Sequence, residues 1–205
     1  MRTILLTCCL FMGTILSAQN NVLIEIENAN AAYKVITGDF VRTQTNVAKG
    51  TSIKADGTLY IAGEDQMAQY YKAPSTDLLI INGNDFYMIR GKKTNKFNTE
   101  KNKTMRSLRN TLLYCVHGKP MELATENGAE ITAEKKENEY EVVLISTKKT
   151  ARGYAKIVLT YDLKSKLLTK MQMDEYNGNS TLYEMNNLKT NGNIDAKVFD
   201  IPEKK

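Results

Sequence analysis

The chain has 205 residues, enough for one large or two small domains, and 42% hydrophobic with 8% aromatic content excludes disorder along its whole length. A formal charge of +5, from 28 Lys and Arg offset by 23 Asp and Glu in the same segments, is too mild to mark a nucleic-acid binder. One His and three Cys exclude most zinc chemistry, which needs three or four such ligands, and any mechanism that needs two histidines.

The chain opens with Arg2, an apolar run from Ile4 to Leu16 and the small pair Ser17-Ala18. This order predicts a cleavable secretory signal peptide over residues 1–18, too short and wrongly flanked for a membrane anchor, followed by one domain over residues 19–205. Cys8 and Cys9 leave with the signal, so Cys115 is alone in the mature chain. A lone thiol cannot staple a fold, and Cys115 reads as a small buried hydrophobe rather than a nucleophile.

Val22, Ile26, Ala29, Tyr33 and Ile36 recur at three- and four-residue steps and predict an amphipathic helix capped by Asn20 or Asn21 and stopped by Gly38. The period then changes to two. Strands are predicted at 40–46, 51–62, 66–73, 76–81 and 85–90, with Asn82-Gly83 as the strongest hairpin signal. The lysines at 92, 93, 96, 101 and 103 read as a solvated loop. A second helix follows, capped by Thr104, striped by Met105, Leu108, Leu112 and Val116, and ended by Gly118 and Pro120. Strands resume at 131–134, 140–146, 153–161, 167–176 and 181–188, with a last short one at 197–201. Ten or eleven short strands are too many for one flat sheet, so a strongly curved sheet or open barrel is expected.

Catalytic signatures are missing. No G-x-G-x-x-G, P-loop, H-E-x-x-H, G-x-S-x-G or C-x-x-C occurs. His117, two residues from Cys115 on the second helix, points to a different face and reads as a cation beside the last helical carbonyls. Acidic neighbours such as Asp174 and Glu175 face opposite ways in a strand. No enzyme, metal or cofactor is expected. Met67, Met88, Met171 and Met173 in strands and Met105 on the second helix either fill a core or line a cavity that repacks around guests.

The order of motifs favours the cavity. Phe40-x-x-x-Gln44, Gly57-Thr-Leu-Tyr60, a strand reaching Pro74, Asp77-Leu-Leu-Ile-Ile-Asn-Gly83 with Phe86 and Tyr87, a helix, Asn191-Gly-x-Ile-Asp195 and Phe199-x-Ile-Pro202 together resemble the periplasmic carriers of outer-membrane lipoproteins called LolA. The resemblance covers nearly all of the mature chain. It implies a mainly β fold, an unclosed antiparallel β-barrel of about 11 strands with an α-helical lid over a hydrophobic cavity. It also implies a monomeric periplasmic carrier whose partners are acylated lipoproteins, an inner-membrane exporter and an outer-membrane acceptor.

On that reading the acyl chains meet Leu59, Ile61, Met67, Tyr71, Phe86 and Met88 from the strands, and Met105, Leu108 and Leu112 from the second helix. Leu59, Ile61, Met67 and Tyr71 share one parity, and only a bulge at Gly63 would reverse the later pair. Two departures stand out. Gly63 and Glu64 occupy the place of a frequent Arg-Pro pair that ties lid to barrel, and there is no Trp, Gln69 standing near its usual position. Either Arg106 or Arg109 closes the lid through backbone carbonyls, or the cargo differs. The alternatives are a carrier of another lipid, such as a glycolipid or pigment precursor, and a lipoprotein-sensing regulatory module on the same fold.

Overall fold

A computed structural model describes residues 21–148 and 153–201. The predicted signal peptide, with Cys8 and Cys9, and Pro202 of the last motif lie outside the described residues. Helix α1 (residues 21–31) leads into β1 (Val35–Asn46), β2 (Thr51–Ala62), β3 (Gln66–Tyr71), β4 (Leu78–Asn82), β5 (Asp85–Arg90) and β6 (Lys93–Asn98). Helices α2 (Lys103–Val116) and α3 (Pro120–Asn127) follow. Then come β7 (Ala129–Lys135), β8 (Glu139–Ser146), β9 (Tyr154–Asp162), β10 (Leu168–Glu175), β11 (Ser180–Thr190) and a 3-10 turn (Ala196–Phe199).

Among the described residues the eleven strands form one antiparallel sheet in the order β6-β5-β4-β3-β2-β1-β11-β10-β9-β8-β7. The only neighbours distant in sequence are β1 and β11, paired from Ile36↔Thr190 to Thr45↔Ser180. The sheet curls around α2 and α3 with β6 and β7 as unpaired edges, which makes it the unclosed barrel expected. Because every turn reverses direction, the β2–β3, β4–β5 and β9–β10 turns share one rim with the start of β1. The β1–β2, β8–β9 and β10–β11 connections form the other.

Local chemistry differs from expectation at several places. The first helix ends at 31, and Ile36 belongs to β1 opposite Ile61. Asn30 breaks the helical run, because its side chain donates to the Ile26 carbonyl (2.9 Å) and across to that of Lys166 (2.7 Å). Gly38 stops no helix; it lies at a β1–β11 register shift, where a Cβ would stand 2.7 Å from Leu188 Cδ2 and 2.9 Å from the Asn186 carbonyl oxygen. Asn102 rather than Thr104 caps α2, its Oδ1 accepting from the Met105 amide at 3.0 Å. Pro120 opens α3 instead of closing the helical region, since a proline in the first turn gives up an N–H that has no helical partner anyway.

Two further differences cancel in the strand count. Lys93 and Lys96 do not mark a loop: Lys93–Asn98 is edge strand β6, with Phe97 opposite Phe86, whereas Lys92 and Lys101 lie in the turns on either side of it. Conversely the stretch at 197–201 is no strand, because the Asp195 carboxylate accepts from the Lys197 amide (2.9 Å) and starts the 3-10 turn.

Two apolar clusters hold the fold. The larger fills the concave side, where Leu23 and Ile26 of α1, Leu112, Leu113 and Val116 of α2 and Leu123 of α3 meet the inward residues of the sheet. The smaller lies on the outer face: Phe199, with Ile194 and Val198, covers Ala68, Leu78, Ile80 and Tyr87. The Tyr70 hydroxyl secures that cover by donating to the Val198 carbonyl at 2.8 Å.

Candidate functional site: the concave face beneath helix α2

Strand alternation puts Leu59 and Ile61 of β2, Met67 and Tyr71 of β3, and Phe86 and Met88 of β5 on the concave side, facing Met105, Leu108 and Leu112 of α2; all nine join one apolar cluster. The β2–β3 turn at Gly63 keeps the parity, because Ile61 pairs with Met67 and Gly57 with Tyr71. Close approach at Gly57 allows the Phe40 ring to lie over the strand and meet Tyr71 edge-on at 4.9 Å between centroids.

The face is largely collapsed on itself. Leu59, Ile61, Met67, Tyr71, Phe86 and Leu112 are buried against neighbours, whereas Met88, Met105 and Leu108 are half-buried. Beside Leu59 and Ile61 only a gap of about 10 Å³ remains, no more than a single water needs. At the opposite rim, however, Met105 and Leu108 line a cavity of about 460 Å³ between the first turns of α2 and the ends of β9 and β10. A smaller space of about 220 Å³ adjoins it under α3 and shares Ser107, Gly153 and Tyr154 with it. The larger space alone is within the range of roughly 300–1,000 Å³ that holds a small ligand.

Sequence reasoning missed Ser107, Tyr154 and Glu175 as cavity walls. Ser107 had a usable signal: it stands one position before Leu108, on the border of the α2 stripe. Tyr154 and Glu175 sit where the β9–β10 register shifts between Asp174 and Glu175, so simple alternation fails there.

The α2 lid is tied at several points. Arg109 Nε donates to the Gly83 carbonyl in the β4–β5 turn at 2.8 Å, and its terminal nitrogen donates to Asn110 Oδ1 at 2.9 Å. Of the two arginines expected to act through carbonyls, Arg109 does so and Arg106 is exposed. Asn110 in turn donates to both carboxylate oxygens of Glu126, at 3.0 and 2.8 Å, joining α2 to α3. Glu64 meets Lys119 at 3.3 Å, so an acid on the β2–β3 turn holds a base beside the helices. At the far end of α2, the Tyr161 hydroxyl donates to the Cys115 carbonyl at 2.9 Å.

His117 is not a helix-end cation. It is buried, and burial first, then the Lys119 charge, holds its pKa below the ordinary 6.5 against a smaller opposing pull from Glu64. Cys115 is a free thiol that burial pushes far up from the thiolate range, the opposite of what a nucleophile requires. Among the described residues no group of three or more His, Cys, Asp or Glu is placed to hold a metal ion.

An unclosed antiparallel sheet, wrapped over an apolar face with a tied helix above a cavity, defines an open-barrel binding protein. The family model of the outer membrane lipoprotein carrier protein LolA matches residues 31–202, and the chain belongs to that family. No curated protein matches it. Among solved structures it is similar to an uncharacterized conserved protein from Thermus thermophilus, with 10% identity, 91% of this chain and 95% of that one covered, and a TM-score of 0.54. MucB shares 13% identity over 91% of this chain and 64% of its own, with a TM-score of 0.52. A LolA superfamily protein from Nitrosomonas europaea shares 9% identity over 89% and 97%, with a TM-score of 0.45.

Proposed function

We propose that the protein is an exported periplasmic carrier that shields the acyl chains of lipoproteins and passes them from an inner-membrane exporter to an outer-membrane acceptor. The observation that supports this most is the apolar concave face, collapsed along most of its length yet open to about 460 Å³ beneath the half-buried Met105 and Leu108. Exposing an acyl chain costs about 0.8 kcal/mol per methylene, so a dozen methylenes amount to roughly 10 kcal/mol and free aqueous transit is closed. A face that repacks when empty lowers the net gain on binding and allows a tighter acceptor to draw the cargo away. In this reading the guest enters at the α2 cavity and spreads inward as Leu59, Ile61, Met67, Tyr71, Phe86, Met88 and Leu112 separate from their neighbours.

Carriage of another lipid is the second reading. It is favoured by Gly63 and Glu64, which stand where the family often has Arg-Pro. Mass spectrometry of an organic extract, from protein purified without detergent, separates the two: triacylated peptide supports the first and free lipid the second. Leu108→Glu places a charge in the cavity wall and is expected to reduce lipid recovery at least tenfold, since an unpaired buried carboxylate costs several kcal/mol. Unchanged recovery from a folded Leu108→Glu protein would remove the cavity from the pathway.

A further inference from the structure

On the strands of the largely apolar concave face, one group of polar side chains surrounds a charge. On β1 the inward side carries Ile36, Phe40 and then Arg42, and Arg42 pairs across the sheet with Tyr183 of β11 and Ala55 of β2. Its guanidinium lies 4.6 Å from the centre of the Tyr71 ring. The Tyr71 hydroxyl donates to Gln69 Oε1 at 3.4 Å, and Gln69 is 3% exposed on the same face. Arg42, Gln69, Tyr71 and Tyr183 therefore form a small polar cluster on an oily wall, near the rim that carries the α2 cavity.

This cluster has a charge without a counter-charge. Among the described residues Arg42 makes no ion pair, although five Lys–carboxylate pairs form elsewhere. Its Nε is buried and has no hydrogen-bond partner in the protein. The acids whose charges reach the neighbouring hydroxyls, Glu175 at Tyr154 and Asp77 at Tyr71, take part in none of those pairs. Stacking on Tyr71 offsets part of the cost of half-burying the Arg42 side chain, but leaves its planar fork of donors without an anionic partner. Burial holds the hydroxyls of Tyr71 and Tyr183 protonated; the Tyr71 proton serves Gln69, which leaves Tyr183 as the hydroxyl that can donate to a guest.

We propose that Arg42, Gln69, Tyr71 and Tyr183 form a receptor for an anionic group, a carboxylate or a phosphate, at the polar end of the hydrocarbon guest. The proposal rests on the carrier reading and adds the chemistry of the head to that of the tail. Position supports it: Tyr154, a wall of the α2 cavity, is near enough to Tyr183 for the two hydroxyls to influence one another. The start of β11 and the end of β1, which carry Tyr183 and Arg42, lie toward the same rim as that cavity, so a tail lodged there has its head on the guanidinium's side. A carboxylate or phosphate matches the fork with two parallel hydrogen bonds, which an alcohol or an ester carbonyl cannot do.

The test is equilibrium dialysis of the full mature chain against palmitate, hexadecyl phosphate and hexadecanol, three probes of one chain length, each below its aggregation limit. The wild type is expected to bind at least one charged probe roughly ten- to a hundredfold more tightly than hexadecanol. Which charged probe is preferred identifies a carboxylate or a phosphate as the natural head. Arg42→Met, which keeps the unbranched stem, is expected to erase the preference and leave hexadecanol binding unchanged. Tyr183→Phe, a milder change should the first variant not fold, is expected to weaken the charged probe alone by about two- to tenfold. Equal binding of charged and neutral probes by the wild type, or a preference that survives Arg42→Met, overturns the receptor and leaves the carrier reading standing. Binding of none of the three overturns both.

Discussion

Position 57 shows how little freedom a single site can have. A Cβ there would stand 2.2 Å from the Tyr70 carbonyl oxygen and 2.8 Å from the Phe40 ring, so the aromatic group that floors the concave face depends on a glycine opposite it. His117 carries a different constraint, set by protonation. Well above pH 6.5 the imidazole is neutral in both folded and unfolded chains and pH has no leverage through it. As pH falls below that value the unfolded chain takes up the proton first, because the folded pKa is depressed, and stability declines until the folded imidazole is protonated too. Urea midpoints are expected to fall from pH 7 to pH 5, and His117→Asn is expected to flatten that slope; an unchanged slope in the variant would assign the effect to other groups. Residue parity is readable in the sequence for Leu59, Ile61, Met67 and Tyr71. Arg42 does not stand out there, since a charged residue within an alternating strand normally faces water. Its equal parity with Phe40 is the available clue.

Among the elements, α2 supplies one wall of the cavity, so its attachment to the sheet is the place to test the proposed opening. One of its links to the sheet is the Arg109 hydrogen bond to Gly83, a charge-assisted contact at a partly buried site, and the other is the buried Tyr161 hydroxyl on the Cys115 carbonyl. Arg109→Ala is expected to cost about 1–2 kcal/mol and to raise amide hydrogen exchange in α2 more than in β8–β10. Uniform exchange across the molecule would mean that the tie contributes to stability without governing the lid. The helix stripe and the Asn82-Gly83 hairpin are legible because each follows from local geometry alone. Strand β6 is not, since Lys93 and Lys96 keep an edge from pairing with other chains and make it look like a solvated loop. Residues Tyr33 and Ile36 extend the first helix on paper by matching its period, while the Asn30 side chain is already committed to the β9–β10 turn.

For the molecule as a whole, β4 explains why the chain runs on past β11. Leu78, Leu79, Ile80 and Ile81 are all buried, so this strand is covered on both faces, the inner by the helices and the outer by the segment around Phe199. The unbroken apolar run announces a doubly covered strand, but the cover lies more than a hundred residues away and only the fold reveals it. Phe199→Ala is expected to lower stability by about 3–5 kcal/mol and to leave lipid recovery intact, because the two clusters lie on opposite sides of one sheet. Loss of lipid from a folded Phe199→Ala protein would show that the two sides are coupled.

One architectural detail sets what swelling costs. Since β6 and β7 do not join among the described residues, the wall is a split collar and not a hoop. In a hoop, a wider bore requires strands to slide or backbone bonds to rupture; a collar can spring at its seam while all ten ladders stay intact. Making room then costs side-chain contacts and a movement at the seam but no ladder hydrogen bond, which suits the proposed carrier to a slender passenger or a bulky one.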